Sequence, residues 1–255
     1  MAAEAEFITG HTALIAPPLI PEIVLHLSRD EPVGLWEQVE RQVGRADLPP
    51  PFWAYPWAGG IALARYLLDH RDEVAGRVVL DVAAGSGLVA IAAALAGAAR
   101  VVASDIDPLA VAAIGLNAAA NGVRVTVARG DLLAGDAGRA VLAGEAVLAG
   151  AAVLAGGGVP AGDGRRAAEA GLTGEDSPRV GVVLVGDAFY ERRMAHRMLA
   201  FLDRARAGGA RVLVGDPGRT YLPPGRLRAV ASYAVPVWAG LEDEEVKQTA
   251  VWEPA

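Results

Sequence analysis

The sequence predicts an α/β fold built on a mostly parallel sheet, with five parallel strands, a C-terminal antiparallel hairpin and an N-terminal arm. Three observations predict it. Strands and helices alternate from Arg77 onward, a pattern that parallel sheets with covering helices produce. The first strand runs into the Gly-rich turn Asp81-Val-Ala-Ala-Gly85-Ser86-Gly87. Two final strand-like runs, about Leu227 to Val235 and Val246 to Trp252, follow each other without a clear helix between them, as an edge hairpin would. At 255 residues and 53% hydrophobic composition, the chain is long enough to bury one sizeable core, so a single domain is expected.

Residues 1–50 read as an arm or cap, and Pro49, Pro50 and Pro51 impose an extended segment at its end. Over Ala58 to Leu68, Ile61, Leu63, Ala64, Leu67 and Leu68 recur at helical spacing, and Gly76 stops the segment before the sheet begins. The core strands are then Val78 to Asp81, Arg100 to Ser104, Arg124 to Ala128, Val180 to Val185 and Arg211 to Gly215. Helices open at Leu88 and at Pro108, the latter with Asp107 as N-cap, proline in the first helical position and Asn121-Gly122 as the stop. A further helix over Glu191 to Arg206 ends at Gly208-Gly209.

One stretch does not fit this order. Residues 134–178 are rich in Ala and Gly, and Val-Leu-Ala-Gly recurs there at 141, 147 and 153. With few large side chains to offset chain entropy, the stretch is expected to be a flexible insert or a loose helix.

Composition narrows the function classes. A net charge of −7 gives no general attraction to nucleic acid or to anionic membranes and suits a basic partner better. No cysteine is present, so thiolate nucleophiles, disulfides and thiolate metal sites are excluded. His11, His26, His70 and His196 are scattered without an i, i+4 pairing, and no metal site is expected. The acidic start MAAEAEFITG lacks the features of an export signal, and no apolar run is long enough to span a bilayer, so a cytoplasmic protein is expected.

The Gly85-x-Gly87-x-x-Ala90 turn, with Asp105 downstream, fits either a dinucleotide or S-adenosylmethionine. Charge separates the two. A dinucleotide brings two phosphates that Asp81 would repel, whereas S-adenosylmethionine brings an ammonium and a sulfonium. The carboxyl ends of successive strands carry Asp81, Asp105, Asp131 and Asp187, and four acids there favour the cationic cofactor. Asp81 is assigned to the methionyl ammonium, directly or through water. Gly85 and Gly87 provide backbone clearance, Asp105 takes the ribose hydroxyls and Asp131 the adenine amino group. Ile106 and Leu132, the neighbours of two of these acids, complete the cofactor set. Trp57, in the aromatic run 52–57 ahead of Gly59-Gly60, is placed near the sulfonium, with Trp53 as its competitor.

Asp187-Ala-Phe189-Tyr190 puts an acid and two aromatics where the methyl acceptor would stand. A lysine, with a reference pKa of about 10.4, must be deprotonated and oriented there. Asp187 and Tyr190 are the catalytic candidates, with Phe189 and Arg219 binding substrate. Positioning alone can supply much of the acceleration, so neither a metal nor a covalent intermediate is required. Structural alternatives remain: each acid could cap a helix, the two aromatics could pack, and Asp216 with Pro217-Gly218 could simply build a turn.

Three segments together resemble the Rossmann-like, seven-stranded lysine methyltransferases, and within them the electron transfer flavoprotein beta-subunit lysine methyltransferases and their bacterial relatives. They are PFWAYPWAGGIALARYLLD at 51–69, VLDVAAGSGLVAIAAA through ASDIDPLAV at 79–111, and GDAFYERRM with GDPGRTYLP at 186–194 and 215–223. The resemblance implies methyl transfer from S-adenosylmethionine to a lysine of an electron transfer flavoprotein beta subunit or a related protein. From the residues alone, a small-molecule N- or O-methyltransferase, a non-catalytic cofactor-binding module and a nicotinamide-dependent oxidoreductase all stay open.

Overall fold

The computed structural model describes residues 2–28, 32–44, 50–143, 152–155, 179–238, 241 and 244–255. The core strands are β3 (Val78–Val82), β4 (Arg100–Asp105), β5 (Arg124–Arg129), β7 (Val182–Gly186) and β8 (Arg211–Asp216). All five run parallel, and β9 (Leu227–Pro236) and β10 (Val246–Pro254) close one edge as an antiparallel hairpin. With β6 (Ala152–Ala155) at the far edge, the order across the sheet is β6-β5-β4-β3-β7-β8-β10-β9. The chain winds outward from β3 through β4 to β5, then returns to place β7 against the other side of β3. Their carboxyl ends therefore flank the crevice at which such sheets bind ligands.

Buried strands read as continuous apolar runs because both faces are covered. On one face, α3 (Ala58–Asp69), α4 (Leu88–Leu95) and part of α5 (Pro108–Ala120) bury Ile61, Leu67, Ile91 and Ile114 against Val79, Val101 and Leu184. On the other face, α7 (Arg192–Ala207) buries Met198, Phe201 and Leu202 against Leu80, Val102 and Val183.

The arm is more structured than its sequence suggests. It forms α1 (Ala2–His11), a short antiparallel pair β1 (Ala13–Ile15) and β2 (Leu25–Leu27), and α2 (Pro32–Val43). Phe7, Ile8, Leu35 and Val39 pack with Trp53 on the outer side of α5 in a third cluster. Two α5 asparagines fix the hairpin to the domain. Asn117 accepts from the His26 N–H at 2.7 Å, and Asn121 accepts from the Val24 N–H at 2.9 Å.

The insert is corrected in part. Residues 135–143 form α6 (Gly135–Ala143), which buries Val141 against the α7 side of the sheet. Ala152–Ala155 form β6, an eighth strand antiparallel to β5. The outer edge of β5 offers a row of backbone partners, and a four-residue strand suffices to use them. The rest of the predicted insert, residues 144–151 and 156–178, lies outside the described residues. No helix among the described residues is long and apolar enough to cross a membrane.

The first turn of α3 is pressed onto the carboxyl ends of β7 and β8. A Cβ on Gly59 would overlap the Gly215 carbonyl, and one on Gly215 would overlap the Gly59 carbonyl. Gly186 meets Gly60 in the same way, with its Cβ position 3.1 Å from the Gly60 Cα. Overfilling a packed contact costs about 1–3 kcal/mol, and each kcal/mol shifts the midpoint of a domain of this size by about 2–4 °C. Gly215→Ala should therefore lower the thermal midpoint by roughly 5 °C or more in a calorimetric scan. An unchanged midpoint would mean that α3 does not sit this close to the sheet.

Candidate active site

The cofactor-binding candidates lie over the ends of β3 and β4. Asp81 is 1% exposed, and its Oδ2 accepts the Ala90 N–H at 3.0 Å, tying the strand end to the first turn of α4. Burial, followed by the nearby Asp105, pushes its carboxyl from the ordinary 3.8 up to about 8, with the Ala90 N–H opposing. Asp105 accepts from the Gly85 N–H at 2.9 Å and the Asp107 N–H at 3.0 Å, and burial pushes it upward too. Gly85 and Gly87 stand at φ 54° and 79°, and a Cβ on Gly87 would meet the Ile114 side chain. Ala83, in the same turn, holds a positive φ of 56° that a non-glycine residue adopts only at a cost.

A buried carboxyl group whose proton affinity is raised further by the half-buried Asp105 forms a site short of positive charge. An ammonium and a sulfonium would relieve it, so these residues fit S-adenosylmethionine. Beside Asp105, Ile106 is 66% exposed, an apolar surface offered to a flat ligand. The remaining two cofactor candidates are placed differently from expectation. Asp131 is exposed and ion-paired to Arg197 at 2.5 Å, and Leu132 packs into the α7-side core. Leu132 can therefore present only backbone to a ligand.

The candidates for the methyl acceptor's side lie over the ends of β7 and β8. Asp187 is buried at φ 51°, with its N–H on the Gly215 carbonyl at 2.9 Å. Its Oδ2 accepts the N–H groups of Gly59 and Gly60, two of the donors that the first turn of a helix leaves unsatisfied. Its Oδ1 takes both Nε and Nη2 of Arg219, each at 2.8 Å. The Arg219 guanidinium lies over the Trp57 ring, 5.8 Å from its centre. Trp57 donates from Nε1 to the Phe52 carbonyl at 2.8 Å, and the Phe52 ring packs against Trp57 at 5.7 Å and Tyr190 at 5.2 Å. Tyr190 is 44% exposed, and burial of its hydroxyl region, then the Asp105 charge, pushes its pKa upward.

Residues 62–146 match a family model described as ribosomal protein L11 methyltransferase (PrmA). The stretch contains the whole Gly-rich turn and Asp105. The chain is 32% identical over 243 residues to the electron transfer flavoprotein beta subunit lysine methyltransferase of Rattus norvegicus, covering 92% of this chain and 77% of that protein. The Xenopus laevis protein of the same name is 30% identical over 251 residues, covering 96% of this chain and 85% of that one. The chain belongs to the electron transfer flavoprotein beta subunit lysine methyltransferase family. It is an S-adenosylmethionine-dependent protein-lysine methyltransferase. A shorter similarity, 54% over 69 residues, links it to the ribosomal protein L11 methyltransferase of Pelotomaculum thermopropionicum and covers 26% of this chain and 22% of that protein.

In this methyltransferase the structure brings Asp81, Gly85, Gly87, Asp105 and Ile106 together on one side, and Trp57, Asp187, Tyr190 and Arg219 on the other. Phe189 is a correction. Its ring is 0% exposed, in the core with Met198 and Phe201, so it cannot wall the mouth of the site. The left-handed turn at Asp187 sends residue 189 inward and residue 190 outward. The tryptophans also divide: the Trp53 backbone lies beside Gly85, while Trp57 lies under Arg219. Two contributors escaped the sequence reading, Phe52 and Asn117. Asn117 is fully buried and donates to the Ser86 carbonyl at 2.8 Å while holding β2, which couples the arm to the Gly-rich turn. A lone asparagine inside the apolar run PLAVAAIGLNAAA was the available signal.

Asp81 gives a pH signature. Between the ordinary 3.8 and about 8, the folded cofactor-free chain holds a proton there that the unfolded chain has released. Its contribution to stability is thus complete below 3.8 and is lost as pH rises through about 8. Asp81→Asn removes this dependence, so urea midpoints between about pH 5 and 8 should fall less for the variant than for the wild type. Parallel curves would show Asp81 to be ionised in the folded protein.

Proposed function

We propose that this chain methylates a lysine of an electron transfer flavoprotein beta subunit or a closely similar protein, with the acceptor amine between Asp187 and Tyr190. The observation that carries the reading is Asp187, held at the carboxyl end of β7 by the Gly59 and Gly60 N–H groups, at the end of the sheet where such folds bind ligands. The names of the relatives supply the identity of the target, and the net charge of −7 suits a substrate that presents a lysine.

When bound, S-adenosylmethionine supplies a methyl carbon on a positively charged sulfur, which departs as a neutral thioether. Asp81 and Asp105 provide the negative surroundings for its cationic groups, and Ile106 an apolar face for adenine. The attacking lysine must be neutral. Arg219, fixed beside Asp187, disfavours the protonated amine, whose proton leaves to water before transfer. The entering amine replaces one of the two N–H bonds that Arg219 makes to Asp187 Oδ1, which fixes the direction of its lone pair. Tyr190 and Phe52 wall off water on the open side. Alignment of nitrogen, carbon and sulfur then supplies the acceleration.

The test is methylation of purified electron transfer flavoprotein with radiolabelled S-adenosylmethionine, followed by mass spectrometry of the beta subunit. Methyl-lysine on that subunit is expected. Asp187→Ala should lower kcat/KM by about 100-fold, close to 2.7 kcal/mol of transition-state stabilisation, with cofactor affinity within about threefold of wild type. Wild-type activity in that variant would remove Asp187 from the mechanism, and label confined to small molecules would overturn the protein substrate.

A further inference from the structure

The turn after β8 holds a buried carboxyl group with no part in the chemistry above. Asp216 is fully buried, and its Oδ1 accepts the N–H groups of both Gly218 and Arg219 at 2.7 Å. Its backbone carbonyl receives Trp252 Nε1 from β10 at 3.1 Å, and its Oδ2 has no hydrogen-bond partner among the described residues. A turn of this kind can be built by an exposed Asp or Asn at little cost. Here the carboxyl group is instead taken out of water and set beside Asp187, a second carboxyl group. Burial, reinforced by Asp187, pushes it up to about 6, against the pull of the Arg219 N–H and charge.

We infer that Asp216 is a positioning residue for protein substrate, because it grips the Arg219 backbone from inside the fold while Asp187 and Trp57 hold the guanidinium. The inference rests on the reading of the Asp187 side as the acceptor side. Arg219 has a long, rotatable side chain, and without a fixed backbone its reach to Asp187 Oδ1 would be one arrangement among many. Short bonds to a carboxylate are the strong kind, and two of them converge on consecutive N–H groups. Asp216 itself touches neither cofactor nor acceptor. Its removal should therefore weaken capture of the substrate lysine and leave the cofactor half as it is.

The experiment compares Asp216→Ala, Asp216→Asn, Arg219→Ala and the Asp216→Ala/Arg219→Ala pair in the full chain. It reads KM and kcat for the protein substrate, and S-adenosylmethionine affinity by calorimetry. Asp216→Ala should raise KM about tenfold with kcat and cofactor affinity within about threefold. Asp216→Asn should return KM to within about threefold of wild type, since an amide oxygen accepts the same two N–H groups. The pair should be no worse than Arg219→Ala alone, because both changes act through one guanidinium. A wild-type KM in Asp216→Ala, or losses that multiply in the pair, would overturn the inference while leaving the acceptor-side reading intact. A wild-type KM in Arg219→Ala would overturn that reading as well. If Asp216→Ala does not fold, Asp216→Leu, which fills the space but offers no acceptor, carries the same test: an unchanged KM again overturns the inference.

Discussion

The contact on which the site depends is the one between the first turn of α3 and the carboxyl ends of β7 and β8. Gly59, Gly60, Gly186 and Gly215 remove the side chains that would hold helix and sheet apart. Asp187 then reaches the helix N-terminus from 128 residues along the chain and takes up its unsatisfied N–H groups. The helix has no side-chain cap of its own at Trp57, so the long-range carboxylate serves in place of a local one. A negative group at a helix N-terminus is also favoured by the helix dipole. One interaction thereby fixes the helix, the aromatic segment leading into it and the acid proposed to meet the acceptor.

The two halves of the crevice are built on opposite electrostatic plans. Over β3 and β4, the buried Asp81 and the half-buried Asp105 stand at neighbouring strand ends, and a cation arriving with the cofactor, as proposed, would complete the site. Over β7 and β8, the carboxyl group of Asp187 already has its cation in Arg219, and a lysine entering there, as proposed, would share that arrangement. The difference suits the chemistry. The cofactor keeps its charge until the methyl group leaves, whereas the acceptor amine has to be neutral when it attacks. Positive-φ residues mark both halves: Ala83 follows β3 and Asp187 follows β7, each bending the chain at the point where it must turn a side chain or a backbone N–H toward the crevice.

Much of this was legible in the sequence, and for identifiable reasons. Strand and helix periods, the Pro108 and Asn121-Gly122 boundaries and the Gly-rich run after the first core strand are local signals, and they located the five parallel strands, the hairpin and the Gly-rich turn. What local signals do not contain is direction at a bend. Asp187-Ala-Phe-Tyr shows two aromatics in sequence, but only the left-handed backbone at Asp187 decides that Phe189 enters the core and Tyr190 faces out. The arm was opaque because its folding depends on partners far away, chiefly the side chains of Asn117 and Asn121 on α5. The edge strand Ala152–Ala155 was hidden because alanine and glycine composition argues for chain entropy, while an unpaired strand of β5 beside it argues the other way.

A crystal structure with S-adenosylhomocysteine bound would test the division of the crevice most directly. The account predicts the amino group of the ligand beside the Gly85 turn, its ribose on Asp105, its adenine against Ile106, and its sulfur turned toward the corner formed by Asp187, Arg219 and Tyr190. A ligand whose sulfur faces away from that corner, or whose ribose leaves Asp105 untouched, would contradict it.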